Sequence, residues 1–214
     1  MAEIAISVQH VSKRFNDAQV LTDVCHDFEL GGIHGIIGNN GSGKTVLFKC
    51  ICGFLCPDNG CILVDYEQVG KDIDFPEGLG VIIETPGFLP QYSGMKNLQI
   101  LASLQKKIGT KEIAVAIRRV GLDPMLKKPV GKYSLGMRQR LGIAQAIMEN
   151  PHCLILDEPF NGLDKHGVSE MRELLKGLRE QGKTLLIASH NSEDINELCD
   201  TVCEMDAGIL RRIR

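Results

Sequence analysis

No run of apolar residues in this 214-residue sequence approaches the roughly 20 needed to cross a bilayer as a helix. Its first residues, Met1-Ala2-Glu3-Ile4, lack the basic and apolar segments of a signal peptide. Charge of one sign is missing too: 24 Lys and Arg stand against 27 Asp and Glu, a net charge of −3 that supplies no global footprint for nucleic acid. The short Arg211-Arg212-Ile213-Arg214 tail reads as a solvated terminus. Neither an internal repeat nor a low-complexity stretch is visible. The expectation is a soluble, cytoplasmic chain with a single well-buried core and room for an inserted lobe.

Cysteine, by contrast, is plentiful, with eight residues. Cys50, Cys52, Cys56 and Cys61 lie close in sequence, but their spacing matches neither common zinc pattern, so they read as buried thiols kept reduced in a cytosolic compartment. His10, His26, His34, His152 and Cys25 show no ligand spacing and read as packing or surface residues.

The stretch that carries the most chemistry is Gly38-Asn39-Asn40-Gly41-Ser42-Gly43-Lys44-Thr45. It follows the apolar Ile33-His34-Gly35-Ile36-Ile37 and precedes Val46-Leu47-Phe48-Lys49-Cys50-Ile51, so strand, loop and helix stand in the order of a phosphate-binding P-loop. Glycines 38, 41 and 43 let successive N–H groups converge on phosphate oxygens at a helix N-terminus, where the dipole also favours an anion. Lys44 adds an ammonium for the β- and γ-phosphates, and Thr45 a hydroxyl for Mg²⁺.

Around this motif the patterning is uneven. Residues 4–8 and 20–30 alternate enough to read as antiparallel strands, 61–64 and 79–83 as two further strands, and 95–108, 111–120 and 135–149 as helices with no convincing strand between them. From Cys153 the βα alternation resumes, with 154–156 as a strand, 167–181 as a helix, 184–188 as a strand, 192–199 as a short helix and 201–205 as the last strand. This is an α/β core with an inserted helical lobe. Leu154-Ile155-Leu156-Asp157-Glu158 ends an apolar strand in two carboxylates, where open α/β sheets bind ligands. That is the form of a Walker B segment, with Asp157 placed for Mg²⁺ and Glu158 for accepting a proton from water.

Tyr133-Ser134-Leu135-Gly136-Met137-Arg138-Gln139-Arg140-Leu141 resembles the signature segment of ABC transporter ATPases. Asn161-Gly162-Leu163-Asp164 looks like that family's D-loop, His190 matches its switch histidine, and Phe15 in Lys13-Arg14-Phe15 matches the aromatic that stacks on adenine. Taken singly, Phe15 also reads as a core aromatic at a strand end, His190 as a loop residue and Ser134 as a helix cap. The resemblance covers essentially the whole chain. It implies a P-loop NTPase core with a mainly parallel sheet, an N-terminal antiparallel β subdomain and an inserted α-helical subdomain, within a single domain over 1–214 whose helical part is about 85–150.

For the site, the resemblance implies ATP and Mg²⁺ as ligands. Gly38, Asn39, Asn40, Gly41, Ser42, Gly43, Lys44, Thr45 and Val46 would hold the phosphates of ATP, Phe15 its base, and Thr45, Asp157 and Glu84 the metal. Glu158 and His190 would act on the water and the γ-phosphate, with Lys44. Two nucleotide domains would pair head to tail, as a homodimer or with a sister ATPase. Ser134, Gly136 and Met137 of one would then close over the nucleotide of the other, and Asp164 would connect the two sites. A separate membrane permease would use the motion, docking beside residues 84–92 and holding the chain at the cytoplasmic face of the cell membrane.

Two departures from the family pattern are visible. Glu84 stands where glutamine is usual, and Leu135 and Met137 replace the commoner glycine and glutamine of the signature. Glu84 with Thr85-Pro86, followed by Ser93-Gly94-Met95, resembles the branch of antimicrobial-peptide, lantibiotic self-protection and drug exporters. The alternative is a soluble ABC-type ATPase acting on a macromolecule such as the ribosome or DNA. Those usually carry two fused nucleotide domains or a coiled-coil insertion, and this chain has neither. A regulatory module that binds without turnover would lack Glu158 or His190; both are present.

Overall fold

The computed structural model describes residues 3–214. Two long strands open it, β1 (Ile4–Phe15) and β2 (Ala18–Glu29), paired antiparallel; with β4 (Asn59–Val64) and β5 (Glu67–Gln68) they form a four-stranded sheet in the order β2-β1-β4-β5. The second sheet has six strands: β10 (Ile209–Arg212), β9 (Thr201–Asp206), β3 (Ile33–Ile37), β8 (Thr184–Ser189), β7 (Cys153–Asp157) and β6 (Leu79–Ile82), in that order. All its neighbours run parallel except β10 against β9.

The central strands are apolar on both faces because both faces are covered. Every residue of β7 and β8 is buried. Leu154, Leu156, Leu185 and Ile187 pack with Met171, Leu175 and Leu178 of α5 (Lys165–Glu180), while Ile155, Leu186 and Ala188 face Leu47, Phe48 and Ile51 of α1 (Lys44–Ile51) and the antiparallel sheet. This two-sided burial distinguishes a parallel α/β strand from an alternating one. At Gly35 the helix α6 (Ser192–Leu198) comes so close that a Cβ would lie 2.3 Å from the Ile195 side chain and 2.8 Å from Cys199 Sγ.

Between β6 and β7 the chain leaves the sheet as α2 (Gly94–Gln105), α3 (Thr110–Arg119) and α4 (Leu135–Ile147). Leu98, Ala102, Ile113, Ile117 and Leu141 close a core among them that continues into that of α5. The helices are therefore an insertion, and they deliver the start of α4 to the mouth of the parallel sheet.

Several expectations are corrected. The strand beginning at Ile4 runs on to Phe15 instead of stopping near residue 8, because Asn16 at φ 51° turns the chain directly into β2. The helix α2 stops at Gln105, where Lys106 takes a left-handed conformation, rather than at 108. Thr201–Asp206 is not the last strand: Gly208 turns the chain into β10, so the tail is no merely solvated terminus. Arg211 and Arg212 pair with Glu204 and Cys203, and Arg214 Nη2 donates to the carbonyl of Cys199. Of the four clustered cysteines only Cys50 and Cys52 are buried, while Cys56 is exposed and Cys61 intermediate.

Candidate nucleotide site

The loop after β3 is held open by its glycines. Gly41 and Gly43 sit at φ 81° and 114°, and at Gly43 a Cβ would lie 2.8 Å from the carbonyl oxygen of Val20. Only glycine gives the loop this path beneath β2. The helix α1 starts at Lys44 with no side chain capping its first turn. Its free N–H groups thus face outward at the positive end of the dipole. Lys44 is buried, and its Nζ donates to the carbonyls of Gly38 (2.7 Å) and Asn39 (3.1 Å). Among the described residues the buried Ser42 Oγ has no hydrogen-bond partner. A buried hydroxyl without a partner, in a loop of converging amides, fits an oxyanion supplied from outside.

Facing the loop, β7 ends in Asp157, only 5 % exposed, whose Oδ2 accepts from Thr45 Oγ1 at 2.6 Å. Burial pushes this carboxyl above its ordinary range, helped by the neighbouring charges of Glu158 and Glu84, while Thr45 and Lys44 pull the other way. A hydroxyl and a carboxylate as the available oxygens make a donor set suited to Mg²⁺.

Glu158 leaves the strand at φ 51°, a conformation uncommon for a residue with a side chain. Its backbone is fastened at both ends: the N–H donates to Ala188 O (2.9 Å), and the carbonyl accepts from Gln139 Nε2 (3.0 Å) and Asn161 N (3.2 Å). The turn aims the carboxylate at the end of β8, where Oε1 accepts from the His190 N–H at 3.0 Å and Oε2 lies 2.9 Å from His190 Nδ1. An acid on one strand end and an imidazole on the next thus form a pair.

These groups border a cavity of about 840 Å³, within the range of small-molecule sites. Of the residues singled out from sequence, Asn40, Gly41, Gly43, Lys44, Thr45, Val46, Glu84, Asp157 and Glu158 line it. Gly38 and Asn39 reach it through Lys44, and His190 through Glu158. Glu84, at φ 60°, is engaged by Lys49, with Oε1 2.6 Å from Nζ, so its carboxylate is shared with an ammonium one turn beyond Thr45.

The other positions lie apart from the cavity. Phe15 ends β1, 44 % exposed, with Lys13 Nζ 5.8 Å from its ring centroid. Ser134 caps α4 by accepting from Met137 N (3.2 Å), and Asp164 caps α5 by accepting from Gly167 N (2.8 Å). Gly136 packs against the carbonyl of Gly162, where a Cβ would meet the oxygen at 2.8 Å. Val20 also lines the cavity, as do Leu135, Arg138 and Gln139 of the signature segment and Asn161 and Gly162 of the D-loop segment, none of which has an individual role within its own chain's site in the sequence pattern. Gln139 lies in the quoted signature segment, but its partner is a backbone atom that no sequence pattern reveals.

Residues 21–161 match the family model described as "ABC transporter". The chain is similar to the uncharacterized ABC transporter ATP-binding protein YybJ of Bacillus subtilis (strain 168), 43% identical over 205 residues that make up 96% of this chain and 94% of that one. It is also similar to the bacitracin transport ATP-binding protein BcrA of Enterococcus faecalis, 38% identical over 210 residues, covering 97% of this chain and 68% of the relative. Among solved structures, cbiO1 from Clostridium perfringens, part of the ABC transporter complex cbiONQ, superposes with a TM-score of 0.81 at 28% identity, over 98% of this chain and 87% of that one.

Proposed function

This chain belongs to the ABC transporter family as an ATP-binding subunit, and we propose that it hydrolyses ATP to drive a separate membrane permease exporting a peptide antibiotic or a drug- or lipid-like molecule. The observation that carries the hydrolytic part is the Glu158 carboxylate, fixed by His190 at the end of β8 and beside the Thr45–Asp157 pair. The bacitracin relative supports the substrate class, in agreement with the resemblance carried by Glu84 and the residues after it.

Phosphoryl transfer to water needs positioning and charge neutralisation more than covalent chemistry. The amides of the loop 38–45 and the N-terminus of α1 would bind the phosphates, with Lys44 exchanging its two loop carbonyls for phosphate oxygens. Mg²⁺, held by Thr45 and Asp157 and approached by Glu84, would supply further neutralisation at the β- and γ-phosphates. Glu158 would accept the proton of the attacking water, and His190, hydrogen-bonded to it, would orient the carboxylate and reach the γ-phosphate. Phe15, at the rim of the antiparallel sheet, would stack on the adenine.

The signature residues complete the site in trans. Ser134, Gly136 and Met137 begin a helix whose first N–H groups are donors for an anion. Ser134, Gly136 and Met137 do not line the cavity of their own chain, although Leu135, Arg138 and Gln139 of the same segment do; a second nucleotide domain, identical or a sister, would present them head to tail, with Asp164 at the junction. Among the described residues no helix is long and apolar enough to cross a membrane, so attachment to the cytoplasmic face would be through the permease.

The test is phosphate release by the purified chain with ATP, with and without Mg²⁺, beside Lys44→Ala. Turnover that needs Mg²⁺ and is lost in Lys44→Ala supports the reading. Turnover that survives Lys44→Ala overturns it.

A further inference from the structure

The β1–β2 hairpin carries a second cluster of ligand atoms, away from the cavity. Val8 pairs with His26 and Val11 with Val24, so Gln9 and His10 together oppose the single residue Cys25. Val11 then pairs with Val24 and Lys13 with Leu21, so Thr22 and Asp23 oppose the single residue Ser12. The two strands therefore bulge against each other one after the other, and His10 (φ 53°) and Asp23 (φ 48°) take the left-handed conformation. Bulges re-aim side chains. Here they turn His10, Asp23 and Cys25 onto one exposed face: His10 Nδ1 lies 2.8 Å from Asp23 Oδ1 and 3.4 Å from Cys25 Sγ, and the three ligand atoms fall within 4.8 Å of one another.

The geometry points to a surface site for a borderline-soft divalent cation, Zn²⁺ or a metal of like chemistry, held by His10 Nδ1, Asp23 and Cys25 Sγ with water completing the tetrahedron. Bonds of about 2.0–2.3 Å at tetrahedral angles put ligand atoms about 3.3–3.6 Å apart, and the hairpin already holds its nitrogen and sulfur at that separation. Thiolate, imidazole and carboxylate together select zinc-like ions over Mg²⁺, whose ligands are oxygens, so the site does not compete for the metal of the nucleotide cavity. The His10 N–H already donates to Cys25 Sγ at 3.2 Å, a bond that strengthens as the sulfur gains charge. Binding forms the metal–sulfur bond, and the thiol proton leaves to solvent. The ion would clip β1 to β2 at their least regular point.

Cobalt(II) titration of the full chain, followed by displacement with Zn²⁺, tests the site. The expected result is one equivalent bound, with thiolate-to-metal absorption in the near ultraviolet and a Zn²⁺-dependent rise in melting temperature. Cys25→Ser keeps an acceptor for the His10 amide, and His10→Asn tolerates the left-handed backbone. Each should fold and weaken binding about tenfold or more, as loss of a metal partner does. Cys56→Ser, at another exposed thiol, should leave the titration unchanged. Binding without the thiolate band, or with affinity unaltered by Cys25→Ser, would overturn the assignment.

Discussion

Replacing Glu158 by glutamine separates what holds the site together from what makes it react. The parent carboxylate accepts the His190 N–H at 3.0 Å through one oxygen, and presents the other to His190 Nδ1 at 2.9 Å and Ser189 Oγ at 3.5 Å. In Glu158→Gln the amide oxygen keeps the first bond, and the amide nitrogen can donate to Nδ1 once the imidazole carries its proton on Nε2. The backbone anchors to Ala188, Gln139 and Asn161 are untouched. Stability should accordingly change by less than about 1 kcal/mol. On the proposed mechanism the substitution removes the proton acceptor, a contribution of about 10²–10⁴ in rate, or about 3–5 kcal/mol of barrier. It also removes a negative charge from beside the proposed place of the γ-phosphate, so ATP should bind at least as tightly as to the parent. Equilibrium binding of a fluorescent ATP analogue and steady-state phosphate release on one preparation give both quantities. Turnover within about threefold of the parent would refute the assignment of Glu158 as the base.

Gly136→Ala places a Cβ 2.8 Å from the carbonyl oxygen of Gly162, so about 1–3 kcal/mol of stability should be lost in chemical denaturation, together with ATP turnover. Gln139→Leu strips a hydrogen bond from the carbonyl of Glu158. Because that carbonyl keeps the Asn161 amide, the loss in denaturation should be only about 0.5–1.5 kcal/mol, while phosphate release falls as the carboxylate loses its fixed aim. His34 is buried between Thr201 Oγ1 (2.8 Å) and the carbonyl of Glu29 (2.7 Å), and burial lowers its pKa. Its neutral form is favoured on folding, so its stabilisation is complete above the ordinary imidazole range and is lost as pH falls from that range toward the depressed native value. His26 is lowered as well, and melting temperatures measured between about pH 7 and pH 5 should fall less steeply in His34→Gln than in the parent.

How much of this was legible in the sequence depended on how local each cause is. The glycine-rich strand–loop–helix was, since its glycines, Lys44 and Thr45 are contiguous and the flanking apolar runs give the strand and helix. So was the inserted helical part, whose periodicity needs no knowledge of partners. Strand β10 was not: Ile209–Arg212 is short, largely exposed and half arginine, and only pairing with β9 makes it a strand. The full length of β1 was hidden by its bulges, which break the alternation directly after Val8. The partners of Glu84, Glu158 and Gln139 are Lys49, His190 and a backbone carbonyl, brought together by strand order and by the insertion of α4. The approach of His10 to Cys25 is set by register, which a linear search for ligand spacing cannot see.

The claim that this chain powers a membrane transporter is tested most directly by co-purification. Tagged Glu158→Gln chain is recovered from its native membranes in mild detergent with ATP present, and the proteins that accompany it are identified by mass spectrometry. The account predicts a polytopic membrane protein in stoichiometric amount. Recovery only from the soluble fraction, with ribosomal or DNA-associated partners, would contradict it.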